Sequence, residues 1–136
     1  MNKDVESLRD KATAVRLQAY APYSNFFVGA CIETTQGEYF TGCNVENASY
    51  SMALCAEAGA ISAMIAAGQH QIKQIAVVVK GPGIAAPCGA CRQRLNEFAT
   101  PDTVIHLFNL GGATRTYTLA ELLPHAFGPS DLLPPQ

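Results

Sequence analysis

Cys55-Ala56-Glu57 and Pro87-Cys88-Gly89-Ala90-Cys91 are the stretches whose residue types and spacing suit chemistry. Three cysteines in this layout make a thiolate cage for Zn²⁺, with an acidic residue two positions after the first. Zinc takes four ligands, so three protein sulfurs leave one corner for water, and an open corner marks a catalytic rather than a structural site. The ion would bring the pKa of that water towards neutrality, and Glu57 stands where it can carry the proton. A C-x-x-C pair alone leaves alternatives open, because it is also the pattern of a redox-active dithiol or of half a structural zinc site. A redox pair leaves Cys55-Ala56-Glu57 unexplained. A structural site needs a fourth ligand, and His70, His106 and His125 are isolated in the chain.

Two helices must position these groups. From residue 55 to 67 the chain is rich in Ala, Ile and Met, Ile61, Met64 and Ile65 share one face, and Gly68 is a stop signal. Cys55 and Glu57 then fall in a first turn, despite the cost of Gly59 inside the helix. A second helix is expected from about Cys88 to Phe98, which puts Cys88 and Cys91 on one face. Backbone N–H groups at a helix start lack intrahelical partners and favour negative charge, so each start stabilises a thiolate.

The remaining elements are supports. Val5, Leu8, Ala12, Val15 and Ala19 form an apolar stripe on a first helix that should stop at Tyr20-Ala21-Pro22. Residues 27–33 and 38–43 read as a hairpin through Thr34-Thr35-Gln36-Gly37. Its cysteines, Cys31 and Cys43, have no ligand-spaced neighbour and are expected in the core. Residues 72–80 have the near-continuous apolar pattern of a central strand. Two more strands, 103–109 and 114–118, a short helix at 119–123 and a tail with prolines to Gln136 complete the chain. Tyr23 and Phe26 read either as loop anchors or as binding groups. The polar run 44–50, between apolar segments, reads either as an ordinary loop or as part of a site.

The totals narrow the class. A chain of 136 residues is expected to be one domain, 1–136. A 49% hydrophobic and 15% charged composition fits a soluble globular protein. A net charge of −2 offers nothing general to nucleic acid. Apolar runs such as 75–79 are too short to cross a bilayer, so no membrane partner is expected. Met1-Asn2-Lys3-Asp4 opens a polar segment without an apolar signal core. Five cysteines cannot all pair within one chain, so reduced thiols and a cytoplasmic setting are expected.

With these residues in view, the chain resembles the small cytidine deaminase family, within the cytidine/deoxycytidylate deaminase superfamily. The resemblance runs through Pro22-Tyr23-Ser24-Asn25-Phe26, Val28-Gly29-Ala30, Gly42-Cys43-Asn44-Val45-Glu46-Asn47-Ala48 with Tyr50, both cysteine motifs with Arg92-Gln93, and Glu121-Leu122-Leu123-Pro124 with Phe127. Zinc deaminases of this kind use cysteine-rich ligation, a glutamate that is not a ligand, and a P-C-x-x-C segment. The resemblance implies a three-layer α/β/α sandwich around a mixed five-stranded sheet, assembled as a homotetramer with one Zn²⁺ per subunit. It implies hydrolysis of cytidine or 2′-deoxycytidine to the uridine counterpart and ammonia, in pyrimidine salvage. Cys55, Cys88 and Cys91 would bind zinc, and Glu57 would be the proton carrier. Asn44 and Glu46 would hold the ribose 3′-hydroxyl, the Ala56 N–H the base carbonyl, and Phe26 would pack on the nucleoside. Ala48 and Tyr50 from one neighbouring subunit would contact the 5′ end, and Phe127 from a neighbour would cover the base.

One position departs from the pattern. The family usually follows Cys-Ala-Glu with an arginine that donates to the zinc thiolates, and this chain has Ala58-Gly59. Arg92, beside Cys91, is a candidate replacement in the shell around the metal, or else a packing residue. Ala58 is expected to leave room beside the metal, and so either to shift the pH optimum or to admit cytidines substituted on the amine. Other readings of the chain are a deaminase of another aminated heterocycle, as in the blasticidin deaminases, a silent zinc-binding member, or a nucleic-acid editing domain. Intact Glu57 and the acidic balance disfavour the last two.

Overall fold

Ile72–Val79 is the strand on which the sheet is centred, and its side chains divide the protein into two cores. The computed structural model describes residues 1–134; Pro135 and Gln136, at the end of the expected tail, lie outside the described residues. In chain order the elements are α1 (Lys3–Arg16), β1 (Gly29–Thr34), β2 (Tyr39–Cys43), α2 (Ala56–Ala66), β3 (Ile72–Val79), α3 (Gly89–Phe98), β4 (Val104–Asn109), β5 (Thr114–Thr118) and α4 (Leu119–Leu122). The sheet order is β2-β1-β3-β4-β5, with β3 and β4 parallel and the other pairs antiparallel. The five strands are those read from the residue pattern, and their mixed sheet is the one the family resemblance implied.

Alternation along each strand assigns the layers, because successive side chains point to opposite faces. Ala30 and Ile32, Ile75 and Val77, and Ile105 and Leu107 meet Ala60, Met64 and Leu95 of α2 and α3 on one face. Cys31, Ala76, Val78 and Phe108 meet Val5, Leu8 and Ala12 of α1 on the other. Strands covered on both faces have little use for polar residues, which is why residues 72–80 read as one apolar run. Cys31 is buried as expected, whereas Cys43, on the edge strand, is only half-buried.

Two close approaches fix the α2 layer. A Cβ on Gly42 would lie 2.3 Å from the Ala56 carbonyl oxygen and 2.3 Å from the Ala60 nitrogen, so α2 rests directly on the backbone of β2. Gly59 faces the same contact, with its nearest neighbour at 3.5 Å. The helix that carries Cys55 and Glu57 is therefore held by backbone-to-backbone packing.

α1 ends at Arg16, three residues short of Ala19 in the expected stripe. Its N-terminus is capped by Asn2, whose side-chain oxygen accepts from Val5 N–H at 2.9 Å. The early stop has a tertiary cause. Arg16 turns inward and donates from Nε to the Phe27 carbonyl at 3.0 Å, with its guanidinium 5.9 Å from the Phe27 ring centroid. Tyr20 then leaves the helical path to bond with Asn44 and Glu46 (Tyr20 N–H to Asn44 O, 3.0 Å; Glu46 N–H to Tyr20 O, 2.8 Å). Among the described residues, no helix is long and apolar enough to cross a membrane.

Candidate metal centre

Cys55 and Cys88 are the residues immediately before α2 and α3, both with extended backbone, and Cys91 lies in the first turn of α3. The two helix starts thus converge as the spacing implied. The Sγ atoms of Cys55, Cys88 and Cys91 lie within 4.8 Å of one another, and those of Cys55 and Cys88 are 4.0 Å apart. Tetrahedral zinc with Zn–S bonds of about 2.3 Å separates its sulfurs by about 3.8 Å, so the triangle fits that ion. Among the described residues no histidine joins the cluster.

The electrostatics of the triangle call for a cation. Burial pushes the Cys91 and Cys55 thiols up from their ordinary range. At Cys91 the Glu57 charge and then both other sulfurs add to the rise, whereas at Cys55 a hydrogen bond with Cys91 opposes it and the charges of Cys88 and Glu57 add to it. Cys88 is exposed, and the backbone N–H of Cys91 draws its thiol down. Two sulfurs, one buried and one half-buried, that resist ionising alone are ligands that a dication converts to thiolates. Cys31 lies apart from the cluster, and burial pushes its thiol up to about 12. With the metal removed by a chelator, brief alkylation at neutral pH is expected to modify Cys88 first and to leave Cys31 untouched. Peptide mass spectrometry reads the order, and early labelling of Cys31 would contradict the packing of α1 on the sheet.

Glu57 follows Cys55 by two residues and is only 5% exposed. Burial raises its carboxyl above the usual range, opposed by a contact with its own backbone N–H and by the charge of Arg94. It opens on a cavity of about 280 Å³ that also meets Cys55, Ala56, Cys88, Phe26, Asn44 and Glu46. Ala58 is not part of that lining. A larger hollow of about 550 Å³ beside β5 brings together no cysteine, histidine or carboxylate.

The cavity's polar wall is braced from behind. Asn44 accepts from Val28 N–H at 2.9 Å and donates to the Phe26 carbonyl at 2.7 Å. An amide has two donors and two acceptor lone pairs, so one of each remains free. Glu46 accepts from the N–H groups of Tyr23 and Ser24 at 2.9 and 3.1 Å and from the Ser24 hydroxyl. The Ser24 hydroxyl first, and then those N–H groups, hold its carboxyl below the ordinary carboxylate range. The same hydroxyl accepts from Phe26 N–H at 3.0 Å, closing a small network around the loop.

Comparison with known proteins fits this geometry. The family model described as cytidine and deoxycytidylate deaminase zinc-binding region matches residues 2–107. The chain belongs to the cytidine and deoxycytidylate deaminase family. It is 43% identical over 129 residues to the cytidine deaminase of Sporosarcina psychrophila, covering 95% of each chain. It is 40% identical to that of Halalkalibacterium halodurans, covering 95% of this chain and 98% of the relative. The crystal structure of cytidine deaminase from Burkholderia pseudomallei superposes with a TM-score of 0.87 at 46% identity, covering 93% of this chain and all of the other.

Within this deaminase family, the arginines of the present chain are arranged in a way the sequence reading did not anticipate. Arg92 does not reach a sulfur. It donates from Nε to the Pro87 carbonyl at 2.7 Å and from NH1 to the Leu122 carbonyl at 2.9 Å. One residue after Cys91 lies about 100° around the helix, which turns Arg92 away from the metal side and onto the loop before Cys88. Arg94, three residues after Cys91 and so on its face, places NH1 3.7 Å from Cys91 Sγ. The i, i+3 spacing that placed Cys88 beside Cys91 would have found Arg94 too. Ala48, Tyr50 and Phe127 lie outside the cavity lining. The rings of Tyr50 and Phe127 are 79% and 58% exposed, although the Phe127 carbonyl is anchored by Gln93 and Asn96 at 2.8 and 3.0 Å.

Proposed function

We propose that the chain is a zinc-dependent cytidine deaminase, hydrolysing cytidine or 2′-deoxycytidine to uridine or 2′-deoxyuridine and ammonia in pyrimidine salvage. One observation carries this reading: the three-sulfur cluster, through Cys55 and Cys88, borders the same cavity as buried Glu57 and the braced Asn44 and Glu46. Cys55, Cys88 and Cys91 would hold one Zn²⁺ per subunit, which when bound supplies a water acidic enough to react at neutral pH. Glu57 takes the proton of the attacking water and delivers it to ring N3 as oxygen adds to C4. It then takes the remaining proton of the new C4 hydroxyl and gives it to the exocyclic amine. The C4–N bond breaks, ammonia leaves, and the C4 oxygen becomes the carbonyl of the uridine product. A carboxyl lifted by burial is suited to both accept and return a proton.

The rest of the pocket holds the nucleoside still. The Ala56 N–H takes the base carbonyl, and Phe26 packs against the nucleoside. Asn44, with its free N–H and lone pair, and Glu46 take the ribose 3′-hydroxyl. Ala48 and Tyr50 from a neighbouring subunit contact the 5′ end, and Phe127 from a neighbour covers the base. The exposed rings of Tyr50 and Phe127, outside their own chain's cavity, favour a homotetramer that completes each site in trans. The setting is cytoplasmic.

A substrate panel tests the reading. Zinc-loaded protein should remove the absorbance of cytidine and deoxycytidine. Free cytosine, which lacks the sugar held by Asn44 and Glu46, should show a kcat/KM about 10- to 100-fold lower, as expected for lost hydrogen bonds to a charged group. Equal rates on cytosine would remove the ribose role. Ala58 lies beside the ligands rather than in the cavity wall, so tolerance of a substituted amine rests on space that an arginine there would otherwise fill. Rejection of every N4-substituted cytidine would end that part of the proposal.

A further inference from the structure

We infer that Arg94 is the charge-balancing partner of the metal-site sulfurs in this chain, a positioning residue that acts through Cys91. The inference rests on the three-cysteine zinc reading. A dication held by three thiolates leaves one net negative charge, and that charge weakens the metal as a Lewis acid. A cation donating to one of the sulfurs withdraws part of their negative charge, and partners of this kind tune affinity and reactivity.

The structure narrows which residue does this. Cys55 and Cys91 each sit at a helix start, and the residue three positions on shares the face of each. On α2 that residue is Ala58, which carries no charge. On α3 it is Arg94, whose NH1 is 3.7 Å from Cys91 Sγ. Arg92 is committed to the Pro87 and Leu122 carbonyls. Among the described residues, no other side-chain cation bonds to a sulfur of the cluster, and no carboxylate forms an ion pair with Arg94. Arg94 is exposed, but its target is not, since Cys91 is fully buried. A guanidinium presents its N–H donors in a planar fork, so one can be given to a sulfur while the others stay in solvent.

The test compares wild type with Arg94→Met, Arg94→Lys and the double variant Arg94→Met/Ala58→Arg. Metal affinity is measured by competition with a chelator, using Zn²⁺ and Co²⁺, and the sulfur-to-cobalt charge-transfer band is recorded. Arg94→Met should bind metal about 10- to 100-fold more weakly. Its cobalt band should move to longer wavelength, because sulfur electrons lose the stabilising charge. The thermal midpoint of the metal-free protein should not change, which separates tuning from folding. Arg94→Lys should keep the band near the wild-type position, and Ala58→Arg should restore it in the double variant. Wild-type affinity and band position in Arg94→Met would overturn the inference, as would a lysine variant that matches the methionine one. Failure of the wild-type protein to take up either metal would instead overturn the reading of the site itself.

Discussion

Glu57→Gln is expected to lower kcat by about 10²- to 10⁴-fold, the range typical for removing a general acid–base group, while the protein keeps its zinc. Glutamine has the same shape but cannot accept the proton of the attacking water or return one to the amine. Glu57 is not one of the three sulfur ligands, so metal content should be unchanged. Its burial leaves no solvent-borne substitute for the missing carboxylate, because only 5% of the residue is exposed. The measurement is single-substrate kinetics on cytidine with zinc quantified in the same sample. A wild-type rate in the glutamine variant would mean that the proton travels by another route.

The second large effect is expected directly behind the site, where β2 supports the start of α2. Gly42→Ala should destabilise the protein by about 1–3 kcal/mol or more, the usual cost of overpacking a filled contact. The obstacle is backbone rather than side chain: the new methyl would sit 2.3 Å from both the Ala56 oxygen and the Ala60 nitrogen. Relief requires α2 to lift from β2, and that movement carries Cys55 and Glu57 away from Cys88 and Cys91. Gly59→Ala probes the other side of the same contact and should behave oppositely. Its Cβ would meet nothing nearer than 3.5 Å. Replacing a mid-helix glycine by alanine is then worth up to about 1 kcal/mol in favour of the fold. Thermal unfolding and zinc affinity of the two variants settle the pair, and similar melting points would refute the close packing of α2 on β2.

Much of this was legible because the signals were local. The apolar run of β3, the hairpin of β1 and β2 and the helix starts at Cys55 and Cys88 follow from residue type and spacing, with boundaries shifted by one or two residues. What was not legible depended on partners distant in the chain. Ala19 matched the helical stripe, but the Phe27 carbonyl and the Asn44 backbone drew the chain off the helix at Arg16. The polar run 44–50 could not be told from an ordinary loop by residue type alone; the family resemblance gave Asn44 and Glu46 a role, and the fold sets both on one cavity with Glu57. Arg92 was favoured by adjacency to Cys91, and helical geometry favoured Arg94 instead.

The bracing of Glu46 against Tyr23 and Ser24 has a consequence for how a ligand arrives. The carboxylate that borders the cavity also fastens residues 23–26, so the order of that loop does not depend on anything being bound. Its conformational entropy is lost while the chain folds rather than at encounter. Association can then proceed onto a preformed surface, with its rate set by diffusion and orientation instead of by loop closure.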